Sequence, residues 1–177
     1  MKADQQLKIL CVSCVSMILA ACGSSSSEDI SVSSISTDNR VIQVGQQTVT
    51  DIDISFDADQ IDNGTHIRLV VRLPAEVSFV PGSSEIDGLT TVDDNSVSPA
   101  ISLCASGAQY LAFDFSGVDL LLAGNPSGDG DMRLNLTIAG VQVGTDAIIQ
   151  ASANDEQPDY TCDAEFVSEA EALVSVQ

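Results

Sequence analysis

The sequence has no tryptophan, a single histidine, and only two tyrosines and five phenylalanines. It carries 6 Lys and Arg against 26 Asp and Glu, for a formal net charge of −20. Binding to nucleic acid requires basic side chains that displace phosphate counterions, so this balance excludes that class. Aromatic platforms for sugar chains are nearly absent, which argues against paired-carboxylate glycosidase chemistry. A Ser-His-Asp triad could draw only on His66, and no Gly-x-Ser-x-Gly elbow accompanies it. One imidazole also serves zinc poorly. A multi-span channel would need several long apolar runs, and the chain has one short one. Five cysteines in 177 residues are too few for a disulfide-dense miniature fold. A hydrophobic content of 44% is too high for a disordered chain. What is left is one soluble, acidic domain of ordinary size, read as non-enzymatic.

The N-terminus reads as an address. Lys2 and Lys8 form a positive region, and Ile9 to Ala21 form an apolar run. As a helix this run reaches about 20 Å, short of the roughly 30 Å hydrocarbon core, so it suits a signal peptide better than a permanent span. It ends in Leu19-Ala20-Ala21-Cys22-Gly23, which resembles the lipobox of bacterial lipoproteins. The resemblance implies removal of residues 1–21 as a signal peptide, attachment of lipid such as palmitate to Cys22, and acylation of the new N-terminus. Gly23 and Ser24, with no Asp at the second position, imply the outer membrane by the same resemblance. Residues 22–28 then form the lipidated cysteine and a Ser-rich tether, with an r.m.s. reach of roughly 13 Å. The remaining chain is strongly acidic, so an anionic leaflet repels it and the lipid must do the anchoring.

With Cys11 and Cys14 lost in the signal and Cys22 lipidated, Cys104 and Cys162 remain as an even pair in an oxidising compartment. A Cys104–Cys162 disulfide is expected. Closing so long a loop stabilises a fold by roughly 4 kcal/mol in the chain-entropy model.

Beyond the tether the apolar pattern has period two. Ile52, Ile54 and Phe56 alternate with Asp51, Asp53, Ser55 and Asp57. Ile67, Leu69, Val71 and Leu73 alternate with His66, Arg68, Val70 and Arg72. Leu111, Phe113 and Phe115 follow the same rule, as do Leu134, Leu136 and Ile138. Phe166, Ala170, Ala172, Val174 and Val176 share one parity near the end. Alternation of this kind predicts strands with one wet face. Turn signals at Asp62-Asn63-Gly64, Pro81-Gly82, Asp87-Gly88, Ser106-Gly107 and Asn125 to Gly130 separate them. Such short, evenly punctuated strands predict an all-β sandwich of two antiparallel sheets in a single domain, residues 29–177. Outward Asp51, Asp53 and Asp57 would guard a sheet edge.

Ile67 to Ser84 (IRLVVRLPAEVSFVPGSS) resembles the central signature of bacterial conserved-repeat surface domains, with Leu73, Pro74, Val77, Phe79 and Val80 on the pattern. Arg133 to Ala153 is similar to the later part of such domains. The resemblance implies an immunoglobulin-like sandwich without catalytic residues. A single copy, rather than an array, argues against a spacer role, because spacers gain length by repetition.

Two acidic segments have the composition of a calcium site, which takes clustered carboxylate and carbonyl oxygens. The better is the loop Asn125 to Asp131, with Asn125, Asp129 and Asp131 as ligands; the other holds Asp57, Asp59 and Asp62. Neither completes an EF-hand pattern, and the same residues also belong in turns for backbone reasons alone. The sequence therefore predicts a lipid-anchored envelope or surface module, held to the membrane by lipid and binding or organising a protein partner. The alternative is a calcium-dependent ligand-binding or adhesion domain.

Overall fold

The alternating segments become eleven strands in the computed structural model, which describes residues 30–57, 66–87, 96–116, 129–154, 162 and 166–177. The signal segment, Cys22 and the tether lie outside these residues, as do Asp59, Asp62 and Asn125. The first sheet contains β1 (Ile30–Thr37), β3 (Gln47–Asp57) and β9 (Asp129–Gly140) in that order. On the far side of β9 lie β5 (Val77–Phe79) and β6 (Glu85–Asp87), one after the other. The second sheet runs β2 (Val41–Ile42), β11 (Ala170–Val176), β10 (Gly144–Asn154), β4 (His66–Leu73), β8 (Gln109–Ser116), β7 (Ala100–Leu103). Strand neighbours are antiparallel apart from β2 and β11, which are parallel. This departs from the purely antiparallel expectation. Only Asp38 to Arg40 separate β1 from β2, so the chain steps to the other sheet without reversing and meets β11 in its own direction.

The two inner faces pack into one core. β3 and β9 supply Ile52, Ile54, Phe56, Met132, Leu134, Leu136 and Ile138. β4 and β8 answer with Ile67, Leu69, Val71, Leu73, Leu111, Phe113 and Phe115. Apart from Met132, these are the positions that the alternation marks, and each fully buried aliphatic or aromatic side chain contributes about 1.5–3 kcal/mol. Gly130 pairs with Phe56, and a Cβ there would meet the ring at 2.3 Å. The glycine is thus a packing requirement of β9.

Turn chemistry places the crossings. Leu73 ends β4, and Pro74, which has no N–H to continue the ladder, leads the chain to β5 in the other sheet. Val77 N–H closes that turn on Pro74 O at 3.2 Å. At Pro81-Gly82, Ser83 N–H donates to Val80 O at 3.3 Å and Gly82 has φ +76, the left-handed position of a type II turn.

Two expectations about the outer faces need correction. β3 lies between β1 and β9, so Asp51, Asp53 and Asp57 line the middle of a sheet and do not guard an edge. The outer face of the second sheet is not uniformly wet. Val70 is fully buried and Tyr110 is 6% exposed, yet both lie outside the main core. Phe166 stands edge-on to Tyr110 with ring centroids 5.8 Å apart. Its predicted place on the inner parity of the last strand fails because β11 begins only at Ala170.

The sandwich is closed at one corner by Glu169. Its Oε2 accepts Val32 N–H of β1 at 2.7 Å and Ala153 N–H of β10 at 3.2 Å, tying the two sheets together. Glu169 N–H in turn donates to Ala151 O at 2.9 Å.

Thr50 faces the core from β3, fully buried, and its hydroxyl has no hydrogen-bond partner among the described residues. An unpaired buried hydroxyl costs about 1–3 kcal/mol. Thr50→Val keeps the shape and removes that cost. We expect it to stabilise the domain by about 1 kcal/mol, or roughly 2–4 °C in Tm. Unchanged or lowered stability in urea and thermal unfolding would contradict this account of Thr50.

Candidate functional site

The outer face of the first sheet gathers the polar half of the alternation. In register, Asp57 faces Asp129, Ser55 faces Asp131, Asp53 faces Arg133, and Asp51 faces Asn135. β6 adds Glu85 opposite Asn135 and Asp87 opposite Arg133. One guanidinium thus stands in an acidic ladder. Arg133 Nε donates to Asp53 Oδ1 at 2.6 Å, and Ser34 Oγ donates to Asp53 Oδ2 at 2.7 Å. The hydrogen bond from Arg133 lowers the Asp53 pKa below the ordinary carboxylate value; partial burial opposes it and Ser34 assists. Ser55 Oγ donates to Asp131 Oδ1 at 2.9 Å.

This register bears on the calcium candidates. Asp129 and Asp131 belong to strand β9 rather than to a loop. β3 ends at Asp57 directly opposite the start of β9 at Asp129. The two acidic segments that looked separate in the sequence therefore leave from the same end of one strand pair. Among the described residues, no group of three His, Cys, Asp or Glu side chains is placed to hold a metal ion.

The basic side chains lie mainly on the outer face of the second sheet. His66 is exposed at the start of β4, opposite Ser116. Arg68 grips Asp114 through two bonds, Nε to Oδ1 at 2.6 Å and Nη2 to Oδ2 at 3.1 Å. Arg72 Nη1 donates to Gln150 Oε1 at 2.9 Å. Gln150 Nε2 and Ser168 Oγ both donate to Glu171 Oε1, at 2.8 and 2.7 Å. The bond from Ser168, then that from Gln150, lowers the Glu171 pKa.

Cys104 and Cys162 form a disulfide across 58 positions, with Cα atoms 5.4 Å apart. It fastens the chain between β10 and β11 to the end of β7. Phe166 in that connection lies against Tyr110 of β8.

The two poles of the sandwich differ. β1 starts at Ile30 opposite Phe56, at the pole where β9 begins. At the far pole Val44 bridges Gly140, and the connection Val141 to Val143 leads into β10. Gly45 N–H donates to Gly140 O at 2.7 Å, Val44 N–H to Gln177 O at 3.0 Å, and Val141 N–H to Glu76 O at 2.8 Å. This hydrogen-bonded tip displays Val44, Val141 and Val143, the last 71% exposed. Sequence alternation did not single it out, because the three valines come together only through the Val44–Gly140 bridge.

The Asp53 pair gives a pH signature. A lowered pKa in the folded state contributes stability above the ordinary carboxylate range, and that stability is lost as pH falls through the folded value. The pair is partly exposed, so its contribution is below about 1 kcal/mol. In urea unfolding, Asp53→Asn should cost this amount at neutral pH and nothing once the wild-type carboxylate is protonated. A cost that persists unchanged at low pH would refute the assignment.

No family model and no curated protein matches the chain. Solved structures do. The major pilin SpaA of Corynebacterium diphtheriae aligns at 11% identity with a TM-score of 0.58, over 81% of this chain and 36% of the pilin. The pilin SpaD of the same organism aligns at 14% identity and TM-score 0.49, over 83% and 33%. The N-terminal domain of the Streptococcus gordonii adhesin Sgo0707 aligns at 11% and 0.49, over 85% and 33%. The chain thus spans about a third of the length of these proteins. SpaA is described as having stabilising isopeptide bonds. A side-chain amide bond of that kind needs an amine, and Lys2 and Lys8 are the only lysines here, so this sandwich has none to offer. The likeness is one of fold: an immunoglobulin-like β-sandwich of the kind that pilins use.

Proposed function

We propose that the protein is a lipid-anchored, non-enzymatic module of the bacterial cell envelope that binds or organises another protein. The observation that carries this reading is polarity of the fold. Ile30 opens β1 at one pole, only a short tether away from the lipobox cysteine Cys22. The exposed valines of the 140–144 connection stand at the other. Lipid on Cys22, in the outer membrane, would hold the first pole at the bilayer and present the apolar tip to a partner. The likeness to pilin and adhesin domains supports a structural or adhesive role rather than catalysis. The experiment is expression of the full chain in a bacterium with a palmitate analogue, with a photo-crosslinker replacing Val143. We expect lipid label and membrane association that Cys22→Ser abolishes, and a discrete crosslinked protein at position 143. Absence of label would overturn the anchor; absence of any crosslink would overturn the role of the tip.

A second reading is favoured by one observation, the direct opposition of Asp57 and Asp129. Calcium held by Asp129, Asp131 and Asn125, with Asp57 nearby, would make the domain a calcium-dependent adhesion module. Calcium should then raise the Tm relative to chelator, and Asp131→Ala should remove the rise. An equal Tm in both conditions would dispose of this reading.

A further inference from the structure

The margins of the two sheets are not treated alike. At β1, Val32 N–H is taken by the Glu169 carboxylate. Beside β6, Ser96 bridges Glu85 and Val97 N–H donates to Ser84 O at 3.0 Å, so that margin is covered. β2 is only two residues long. Among the described residues, β7 has none of these protections. It pairs with β8 on one side, no described strand lies on its other side, and all four of its residues are exposed. It also lacks charge and proline, the usual means of blunting an edge. From Asn95 to Phe113 no residue is charged, in a chain with 26 acids.

The side chains of β7 point the same way. Ile101 and Leu103 pair with Leu111 and Gln109, so they lie on the core-facing side of the second sheet. They are nevertheless 47% and 72% exposed, because the first sheet does not extend over them. The backbone agrees. Cys104 N–H donates to Ala108 O at 2.9 Å. Counting back along an antiparallel ladder, Ser102 exchanges its bonds with Tyr110, while Ile101 and Leu103 turn their N–H and C=O groups outward.

We propose that β7 is the contact through which two copies of this chain pair, edge to edge and antiparallel. The charge pattern selects a second copy over a basic partner. A basic strand would be met by acids at its docking edge, and the run Asn95 to Phe113 that carries this edge has none. A two-fold contact sets each surface against itself, so in so acidic a protein it must be built where charge is missing. The register follows. With Ser102 facing its counterpart on the axis, Ile101 of each copy lies opposite Leu103 of the other. That register joins the outward N–H and C=O groups in pairs and puts the four apolar side chains on one face. This pairing needs only the folded sandwich and not the lipid anchor, so either idea can fail without the other.

The test uses the purified full chain in detergent, in sedimentation over a range of concentrations. We expect a dimer whose share grows with concentration. Leu103→Glu should abolish it while leaving the Tm unchanged, since the position is exposed; Ile101→Glu is a second variant at the same edge. Ser102→Cys should yield a covalent dimer joined at position 102 on mild oxidation. A monomer at every concentration would overturn the proposal. So would a dimer that survives both glutamates or gives no link at position 102.

Discussion

The long pairing of β3 with β9 is the constraint on which the rest of the sandwich depends. It runs unbroken from Gln47 opposite Ala139 to Asp57 opposite Asp129. One parity of this pair holds Ile52, Ile54, Phe56, Met132, Leu134, Leu136 and Ile138 in the core. The other holds Asp51, Asp53, Asp131 and Arg133 in water. A slip of one residue in either strand would turn its whole set over and bury unpaired carboxylates. The aspartates thus do more than hydrate the outer face. They make the wrong register prohibitively costly, while Gly130 leaves room for the Phe56 ring only in the right one.

Once that rib is set, the second sheet has a surface to pack on, and the remaining problem is holding the margins. The chain solves it with single polar or covalent contacts rather than with more core. Glu169 bonds two backbone N–H groups from different sheets, which gives a charge-assisted link at a corner where neither sheet can continue. The Cys104–Cys162 bond fixes the connection between β10 and β11, whose Phe166 shields Tyr110. Both contacts join segments far apart in sequence, but only the covalent Cys104–Cys162 bond also restricts the unfolded chain.

This division explains what was legible in the sequence. The inner faces of β3, β4, β8 and β9 could be read because a period of two is a local property, carried by each strand alone. The turn at Pro81-Gly82 was also legible, since a left-handed glycine acts within a few residues. Strand neighbours were not. Nothing local shows that β3 is interior, and so Asp51 and Asp53 looked like edge guards. One clue to the covered outer face was present: Leu69-Val70-Val71 interrupts the alternation with a continuous apolar run, the mark of a strand buried on both sides. Asp57 and Asp129 looked like parts of two sites because their proximity is created by register alone.

Charge also partitions the surface of the finished fold. Carboxylates crowd the outer face of the first sheet, and Arg68 and Arg72 sit on the opposite face, paired or hydrogen-bonded. The β7 edge lies in a run without charge, whereas the valine tip has the Glu76 side chain against Gly144. Beyond about one Debye length, roughly 8 Å at physiological salt, the acidic excess of an approaching copy is screened, so long-range repulsion does not decide the outcome. What decides is the charge within the contact itself. A protein this acidic can touch an acidic neighbour most readily where its own sequence omits acids, and it omits them along the hairpin that carries β7. Its contacts are therefore specified as much by where charge is missing as by where apolar side chains are placed.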